Sequence, residues 1–536
     1  MENTLDTVYR LDGGMRMDHV HTPAAWRRRS MLAALLCLTL ALSGCTSTLG
    51  QLRPTGSAAT LPPAAQPYSA PVGDASLDYT TLVDLYLPSL DGTHLVAQQA
   101  QLTLNRGRHP AETVLRALFT YEGNRQVQAL GGTVRLQLAG VNPVEISCGV
   151  CTVTLAASAL QLNHDAFYAV CQAIASTLAP FGISHVNILI SGMAVAMDIT
   201  ASLPLGSITA RPEADLADLW NQLDSRKPAL GEDASQVSLT STATLFFPTL
   251  EGTGLLAEPR DISFVGQTPA QLASGLISAL SAGPQVLTSA APMPDLNTLL
   301  LYAPQIRELQ DTGGRIAMLY FCEDLEDRLR NSGLDMAGFL GSVTYTLTAF
   351  IPSLTAVECY VGGSLLTSVL TAENRMLTFP DGRMTRGDFA AYLKDVALLY
   401  FVQGDRLVAS PRPVPYYEVK NPRYLLLQLM AGPTVSEAAA GRTSLLPAYL
   451  GDADILGFSA QDGVLLVNLS PSFATSSSSL DEAQERLLAY SMINTLCHAT
   501  ELRRIRFYFG GEPWDTVAGS LWWNGEFMEN TSMVQP

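Results

Sequence analysis

Basic residues are scarce in this chain of 536 residues. It contains 32 Lys and Arg against 49 Asp and Glu, which gives a formal net charge of −17. The only lysines are Lys227, Lys394 and Lys420. Nucleic-acid binding needs a basic stripe that neutralises phosphate groups, and no part of this sequence supplies one. We therefore expect no nucleic-acid partner.

Recognisable catalytic and metal-binding motifs are also missing. The sequence contains no H-E-x-x-H, no G-x-S-x-G and no G-x-x-x-x-G-K. Five histidines follow residue 45, and none has metal-ligand spacing to another: His94, His109, His164, His185 and His498. A catalytic base needs an oriented partner, so we expect these histidines to be surface or packing residues. The sequence predicts a protein that is not an enzyme and has no catalytic residue, metal or cofactor.

One pair of cysteines is an exception. Cys148 and Cys151 form a C-x-x-C motif, which is a redox motif when its first sulfur lies at a helix N-terminus. Here the motif lies between two predicted strands, which favours a hairpin turn with free thiols or a local disulfide. Redox catalysis is a weaker alternative, as is zinc bound together with Cys171 or His164. The other cysteines (Cys171, Cys322, Cys359 and Cys497) are expected to be buried thiols.

Long hydrophobic runs are absent after Cys45, where no window approaches 18 consecutive apolar residues. Before it, Arg27–Arg29 and the apolar stretch Met31–Leu42 read as a secretory signal that is too short to span a bilayer. Leu42-Ser43-Gly44-Cys45 resembles the lipobox of bacterial lipoproteins, in which the cysteine sulfur is diacylated. We predict that Cys45 is the lipidation site, which anchors the protein on the extracytoplasmic face of the cell membrane.

A fixed series of structural signals occurs three times, about 150–170 residues apart. Each series predicts a strand, a helix that begins at a proline, two strands, a second helix and a final strand. The most regular part is a Thr-Leu pair at Thr177, Thr346 and Thr495, followed by a glycine 15, 16 and 15 residues after each threonine. The predicted fold class is α+β, with three tandem β-α-β-β-α-β modules behind a lipoprotein signal peptide and a flexible tether.

The signals also predict where the domains begin and end. The predicted divisions are a signal peptide (1–44), the lipidated cysteine with a Pro/Ala/Ser-rich tether (45–78), repeat 1 (79–210), a linker (211–238), repeat 2 (239–385), a linker (386–395) and repeat 3 (396–531). Because polar, helix-leaning segments join the repeats, we expect an articulated rod or arc rather than one fused globule.

Several local features follow from capping and turn chemistry. The first helices should begin at His109-Pro110, Thr268-Pro269 and Asn421-Pro422, because proline is tolerated in a first helical turn. Capping boxes are predicted at Thr268 with Gln271 and at Ser479 with Glu482, and Asn163 should cap a second helix. Asp462-Gly463 predicts a hairpin, and Leu299–Tyr302 reads as a strand.

These residues resemble a known family. The third copy contains Tyr400-Phe401, a helix ending Leu429-Met430-Ala431-Gly432-Pro433, the strand Val467-Asn468-Leu469-Ser470, and Gly510-Gly511. Over about residues 396–525 it looks like the GerM domain of sporulation and spore germination. The second copy (about 241–375) is similar with a degenerate middle, and the first (about 80–205) is fainter.

The resemblance implies a fold like that of ring-building modules, no enzymatic activity, and a lipoprotein of endospore-forming bacteria. It implies a scaffolding role whose partners are sporulation envelope proteins or other GerM-like or ring-building modules, as a homo- or hetero-oligomer. The alternative is an envelope lipoprotein that binds cell wall or a ligand. Only Trp514, Trp522 and Trp523 suggest that alternative, and a closing hairpin packed on repeat 3 explains them better.

Overall fold

The described part of the structure, a computed structural model, comprises residues 68–75, 77–196, 203–310 and 313–535. The predicted signal peptide, Cys45 and most of the tether lie outside these residues and stay predictions. We refer to predicted repeats 1, 2 and 3 as segments 1, 2 and 3. None of the helices in the described ranges has the length and apolar character that a membrane crossing requires.

Segment 1 is preceded by a short strand, β1 (Gly73–Asp74). It contains β2 (Asp78–Pro88), β3 (Leu95–Asn105), α1 (Ala111–Thr120), β4 (Val144–Ser147), β5 (Val150–Leu155), α2 (His164–Leu178), β6 (His185–Ile190) and β7 (Met193–Ala194). Helix α3 (Leu216–Asp224) follows in the linker.

Segment 2 repeats this order with two short helices added in its middle and further strands at its end. It contains β8 (Leu239–Pro248), β9 (Leu255–Phe264), α4 (Pro269–Ser281), α5 (Leu296–Leu299), β10 (Gln305–Glu308), β11 (Arg315–Phe321), α6 (Leu325–Asn331), α7 (Met336–Phe350), β12 (Leu354–Val361), β13 (Ser364–Leu365), β14 (Ser368–Leu370), β15 (Met376–Thr378) and β16 (Arg383–Met384).

Segment 3 has the same order again. It contains β17 (Lys394–Gln403), β18 (Arg406–Pro415), α8 (Pro422–Met430), α9 (Val435–Ala439), β19 (Ile455–Gln461), β20 (Val464–Leu469), α10 (Pro471–Ser477), α11 (Glu482–Thr500), β21 (Arg504–Phe509) and β22 (Glu526–Met528).

The elements of each segment form an antiparallel hairpin and a central sheet. The hairpins are β2–β3, β8–β9 and β17–β18, and the central sheets have the orders β4-β5-β6-β7, β10-β11-β12-β13 with β16 on β12, and β1-β19-β20-β21-β22. The two middle strands of each central sheet are parallel and are connected through α2, α7 or α11. The chain therefore has the mixed α+β fold that the sequence predicts.

The predicted module omits one strand of each hairpin. Each segment opens on two long paired strands, not on one, and β3 pairs with β2 along all of its length from Asp78–Asn105 to Pro88–Leu95. The sequence of β3 is rich in Gln and Ala, residues that are uncommon in strands, so its propensity does not reveal it. Pairing with β2 therefore stabilises β3 as a strand although its intrinsic strand propensity is low.

A buried threonine joins each hairpin to the helix of its central sheet. The Oγ1 atoms of Thr177, Thr346 and Thr495 accept hydrogen bonds from the backbone N–H groups of Tyr86, Phe246 and Tyr400, at 3.0, 3.0 and 3.1 Å. All three threonine side chains are fully buried. Each bond satisfies a strand N–H that would otherwise be unpaired in the interior, which gives a physical reason for the regular Thr-Leu pairs.

Other local predictions divide into confirmed and wrong ones. Thr268 and Gln271 form the predicted capping box, Asn163 caps α2, and Asp462-Gly463 makes the β19–β20 turn with positive φ at both residues. The box at Ser479 and Glu482 is wrong, because Asp481 caps α11 by accepting from the N–H of Gln484 at 2.8 Å.

The predicted strand at Leu299–Tyr302 is reduced to a single antiparallel bridge between Leu300 and Phe321. The side chain of Asp295 accepts a hydrogen bond from the N–H of Asn297, and this cap starts the helical turn α5, which ends at Leu299. The strand that pairs with β11 in antiparallel fashion is β10, which begins three residues after Tyr302.

Segments 1 and 2 share one apolar core, which differs from the expected articulated arrangement. The linker between them does not separate them, because Leu216, Leu219 and Leu223 of α3 are buried in that same core. The core of segment 3 is separate.

Candidate functional site

The histidines and acidic residues of the described ranges do not assemble a metal site. Among the described residues, no three His, Cys, Asp or Glu side chains come together as a metal site would require. His94, on the turn before β3, contacts the hydroxyl of Thr93, and His185 contacts that of Ser184. His164 begins α2 and packs its ring against Trp220 with the ring centroids 5.5 Å apart.

Cys148 and Cys151 lie on the β4–β5 hairpin, as their position between two strands predicts. Cys148 and Gly149 occupy the turn with positive φ, and Cys151 pairs with Ile146 and points into the core. Both thiols are free. Burial, with a smaller contribution from the charge of Asp395, raises the pKa of Cys148 to about 12, and burial also raises the pKa of Cys151. Because the thiolate is the reactive form, this arrangement disfavours redox chemistry.

The three tryptophans near the C-terminus do not form one patch. Trp523 is fully buried, and its Nε1–H donates to Glu485 Oε1 at 2.8 Å, whereas Trp522 is 67% exposed. Glu485 also accepts from the backbone N–H groups of Ala518, Ser520 and Leu521. Burial alone would raise the pKa of Glu485, but these hydrogen bonds outweigh burial and hold it below its usual value. The carboxylate thus fixes the loop that carries the tryptophans.

A cleft of about 510 Å³ lies between segments 1 and 3. Lys420 and Glu501 form an ion pair at its wall, and His109 lines it. His109 Nδ1 accepts from the N–H of Ala111 at 3.2 Å, so Nε2 carries the proton and donates to the Phe181 carbonyl at 3.3 Å. Burial first, and then the charge of Lys420, lower the pKa of His109 to about 4. A neutral histidine with both nitrogens engaged is a structural residue here.

The central sheets offer surfaces of another kind. We number each central sheet by its segment, so that sheet 1 belongs to segment 1. Helices pack on one side of each sheet, and we call the opposite side its outer face. The outer face of sheet 1 carries Thr152 and Asn187 and is covered by the hairpin β8–β9. Asn187 Nδ2 donates to Thr244 Oγ1 at 3.0 Å, and the N–H of Ala257 donates to Ser147 Oγ at 2.9 Å. The hairpin of segment 2 thus closes the central sheet of segment 1.

The outer face of sheet 3 is covered by residues 68–75, which we call the strap. Strand β1 of the strap pairs in parallel with β19. Tyr508 Oη donates to the Tyr68 carbonyl at 2.9 Å, and Asn468 Nδ2 donates to the Pro71 carbonyl at 2.8 Å. Arg423 holds the strap's Asp74 through two hydrogen bonds of 2.6 and 2.9 Å.

Within the described residues, the outer face of sheet 2 remains accessible. Tyr320 and Tyr360 stack with centroids 4.6 Å apart, and Tyr302 packs edge-on against Tyr320 at 5.8 Å. Beside them Glu358 is buried beneath Arg307 and Arg383, with which it forms ion pairs. Tyr302 is 62% exposed and the two arginine side chains are 43% and 44% exposed. Aromatic rings with arginines are the composition of protein-binding surfaces, so this face is the candidate functional site.

The sequence did not predict this site, although it predicted some of the strands around it. Tyr320 belongs to the stretch that departs from the expected family pattern in repeat 2, and that departure was the available signal. Glu485 and Glu358 carry no motif. Their partners lie 38 and 51 residues away along the chain, at Trp523 and Arg307.

The comparisons with known proteins concern mainly segment 3. Residues 398–515 match the family model named Germane, described as sporulation and spore germination. No curated protein matches the chain. The solved tandem GerMN domains of the sporulation protein GerM from Bacillus subtilis are 17% identical, covering 57% of this chain and 99% of that one, with a TM-score of 0.21. A candidate lipoprotein from Clostridium perfringens is 16% identical, covering 26% and 89%, with a TM-score of 0.19.

The match of the family model confirms the predicted resemblance in segment 3. It covers neither segment 1 nor segment 2, so the relation of those segments to the family rests on the recurring elements and threonines described above. Residues 398–515 of this chain are similar to the Germane domain of sporulation and spore germination.

Proposed function

We propose that this protein is a non-enzymatic, lipid-anchored scaffold that acts in sporulation or spore germination and displays three copies of one α+β module. The observation that carries the proposal is the Germane match over residues 398–515. The lipobox-like sequence ending at Cys45 supports the anchor, and the Tyr/Arg outer face of sheet 2 supports a binding role over a chemical one.

Multivalency is the proposed mechanism. Modules joined in one chain and held at one membrane raise the effective concentration of each binding surface toward about the millimolar range. Contacts that are weak individually then hold an assembly together. Partners would be sporulation envelope proteins or other modules of the same kind.

The test is localisation of a fluorescent fusion of the full chain during starvation, with Cys45→Ala as the matched control. We expect enrichment at the septal or engulfing membrane, because the anchor and the modules act together there. The Cys45→Ala variant should lose the membrane signal while keeping its folded domains. A uniform signal around vegetative cells would contradict the sporulation role, and an unchanged signal in Cys45→Ala would contradict the anchor.

A further inference from the structure

Within the described residues, the hairpin of segment 2 docks on the outer face of the central sheet of segment 1. The hairpin β8–β9 lies on the outer face of sheet 1, where Thr244 of β8 bonds Asn187 of β6. Ser207 reinforces the contact by donating its N–H to the Thr242 carbonyl at 2.8 Å. Both Thr244 and Asn187 are buried by it.

Among the described residues, one other hairpin and one other outer face lack such a contact. The hairpin β2–β3 belongs to the first segment, and the side that corresponds to the docked side of β8–β9 carries exposed residues: Thr80, Leu82, Asp84, Ala97, Gln99 and Gln101. Leu82, the largest apolar side chain among them, is 62% exposed. The outer face in question is the accessible one of sheet 2.

The register shows which residues would meet. Asp84 and Thr244 hold the same position, since each lies two residues before the N–H that bonds the buried threonine. Glu358 and Asn187 also correspond, since each lies three residues before the end of its parallel strand. A hairpin β2–β3 docked on sheet 2 as β8–β9 docks on sheet 1 places Asp84 over Glu358 and its two arginines.

The charges at that position are complementary. Arg307 and Arg383 together outweigh Glu358 by one positive charge, and both arginine side chains are more than two-fifths exposed. Asp84 would therefore meet a net positive group. The surrounding tyrosines and Met318 supply the apolar contact area that interfaces use.

We infer that the hairpin β2–β3 of one copy docks on the outer face of sheet 2 of a second copy, so that the protein associates head to tail with itself. This inference rests on the proposed scaffold function and names its partner. The two surfaces differ, so the contact is heterologous and extends into a ring or an open filament.

The experiment uses charge reversal in the full chain, purified in mild detergent, with sedimentation velocity at increasing protein concentration. We expect the unmodified chain to associate, and Asp84→Arg or Arg383→Glu alone to weaken association about tenfold or more. An equimolar mixture of the two variants should recover it. In the mixture, the arginine hairpin of one variant meets the glutamate face of the other, and the remaining contact is the original one.

Asp405→Arg is the matched control, because Asp405 is exposed on the turn of the hairpin β17–β18. It changes the net charge equally and should leave association unchanged, and thermal unfolding checks that every variant is folded. Three outcomes overturn the inference: a chain that stays monomeric at about 100 μM, association that both reversals leave intact, and single variants that the mixture does not rescue. Septal localisation without self-association would refute the contact and leave the scaffold function standing.

Discussion

Segments 2 and 3 place a buried arginine at the position where segment 1 has Ala100. The three positions correspond because Ala100, Arg260 and Arg412 pair across their hairpins with Val83, Ala243 and Ala397. Arg412 donates to the carbonyls of Gln428 and Gly432 at the end of α8, and Arg260 donates to those of Ala279 and Gly283 at the end of α4. A buried carboxylate, Glu437 or Glu258, pairs with each arginine.

The threonine and the arginine therefore have different roles in the module. The buried threonine that ties hairpin to helix is present in all three segments, so it belongs to the fold. The arginine supports the carbonyls at a helix end that would otherwise lack partners in the interior. In segment 1 the hydroxyl of the exposed residue Thr120, at the end of α1, donates instead to the carbonyls of Arg116 and Ala117, at 2.8 and 3.2 Å.

Removing the arginine should have the largest effect. Arg412→Met leaves Glu437 buried without its charge partner, so we expect a loss of about 3–5 kcal/mol in the free energy of unfolding of segment 3. Urea unfolding followed by tryptophan fluorescence measures it, because Trp514, Trp522 and Trp523 all lie in that segment.

The matched control is Ala100→Met, which should change stability by less than about 0.5 kcal/mol, since no carboxylate pairs with Ala100. The double variant Arg412→Met/Glu437→Leu should recover most of the loss. Equal effects of the substitutions at residues 412 and 100 would remove the distinction between the segments.

Acid should destabilise segment 1 selectively. His109 occupies the position before proline that Thr268 and Asn421 hold in the other segments, and each of the three side chains accepts a hydrogen bond from a backbone N–H at the start of the first helix. Only histidine titrates in this range. Its pKa is lowered to about 4 in the folded chain, so its neutral form stabilises the protein above about pH 6.5, and this contribution is lost as the pH falls toward 4.

Relative to His109→Asn, which copies the cap of segment 3, the unmodified chain should lose about 2–3 kcal/mol between pH 6.5 and 4. Urea unfolding followed by circular dichroism at several pH values measures the difference. The carboxylates titrate in both proteins, so parallel pH profiles would show that His109 is not the group responsible.

Replacing the buried threonine of each segment should have the smallest effect on the free energy of unfolding. The three substitutions also test whether the segments are alike. Thr177→Val, Thr346→Val and Thr495→Val each remove a hydroxyl that accepts a buried strand N–H, so each should cost about 1–2 kcal/mol in unfolding free energy. Serine at the same positions keeps the acceptor and should recover part of the loss. A cost at only one of the three positions would indicate that the resemblance among segments is limited to their order of elements.

Much of the fold could be predicted because the signals are local. Thr268 with Gln271, Asn163, and Asp462-Gly463 each depend on residues within three positions, and the structure confirms all of them. The regular Thr-Leu pairs were visible in the sequence, but their role was not, because the N–H groups they bind lie 91 to 100 residues away. The strand β3 was not predicted, because its intrinsic strand propensity is low and pairing with β2 stabilises it.

The candidate site could not be predicted for the same reason. Which outer face is covered depends on the packing of β8–β9 and of the strap, and neither contact has a local pattern. Only the tertiary arrangement shows that Tyr302 and the two arginines face outward.

The strap has a consequence for the time course of biosynthesis. Gly73 pairs with Gly457, which lies 384 positions later in the chain. At about 5–20 residues per second, the strap waits roughly 20–80 s for its docking surface to emerge. The outer face of sheet 3 is therefore closed last, after segments 1 and 2 have had time to fold. Until then, the strap itself is an unpaired extended segment, with which the edge of another sheet could pair first.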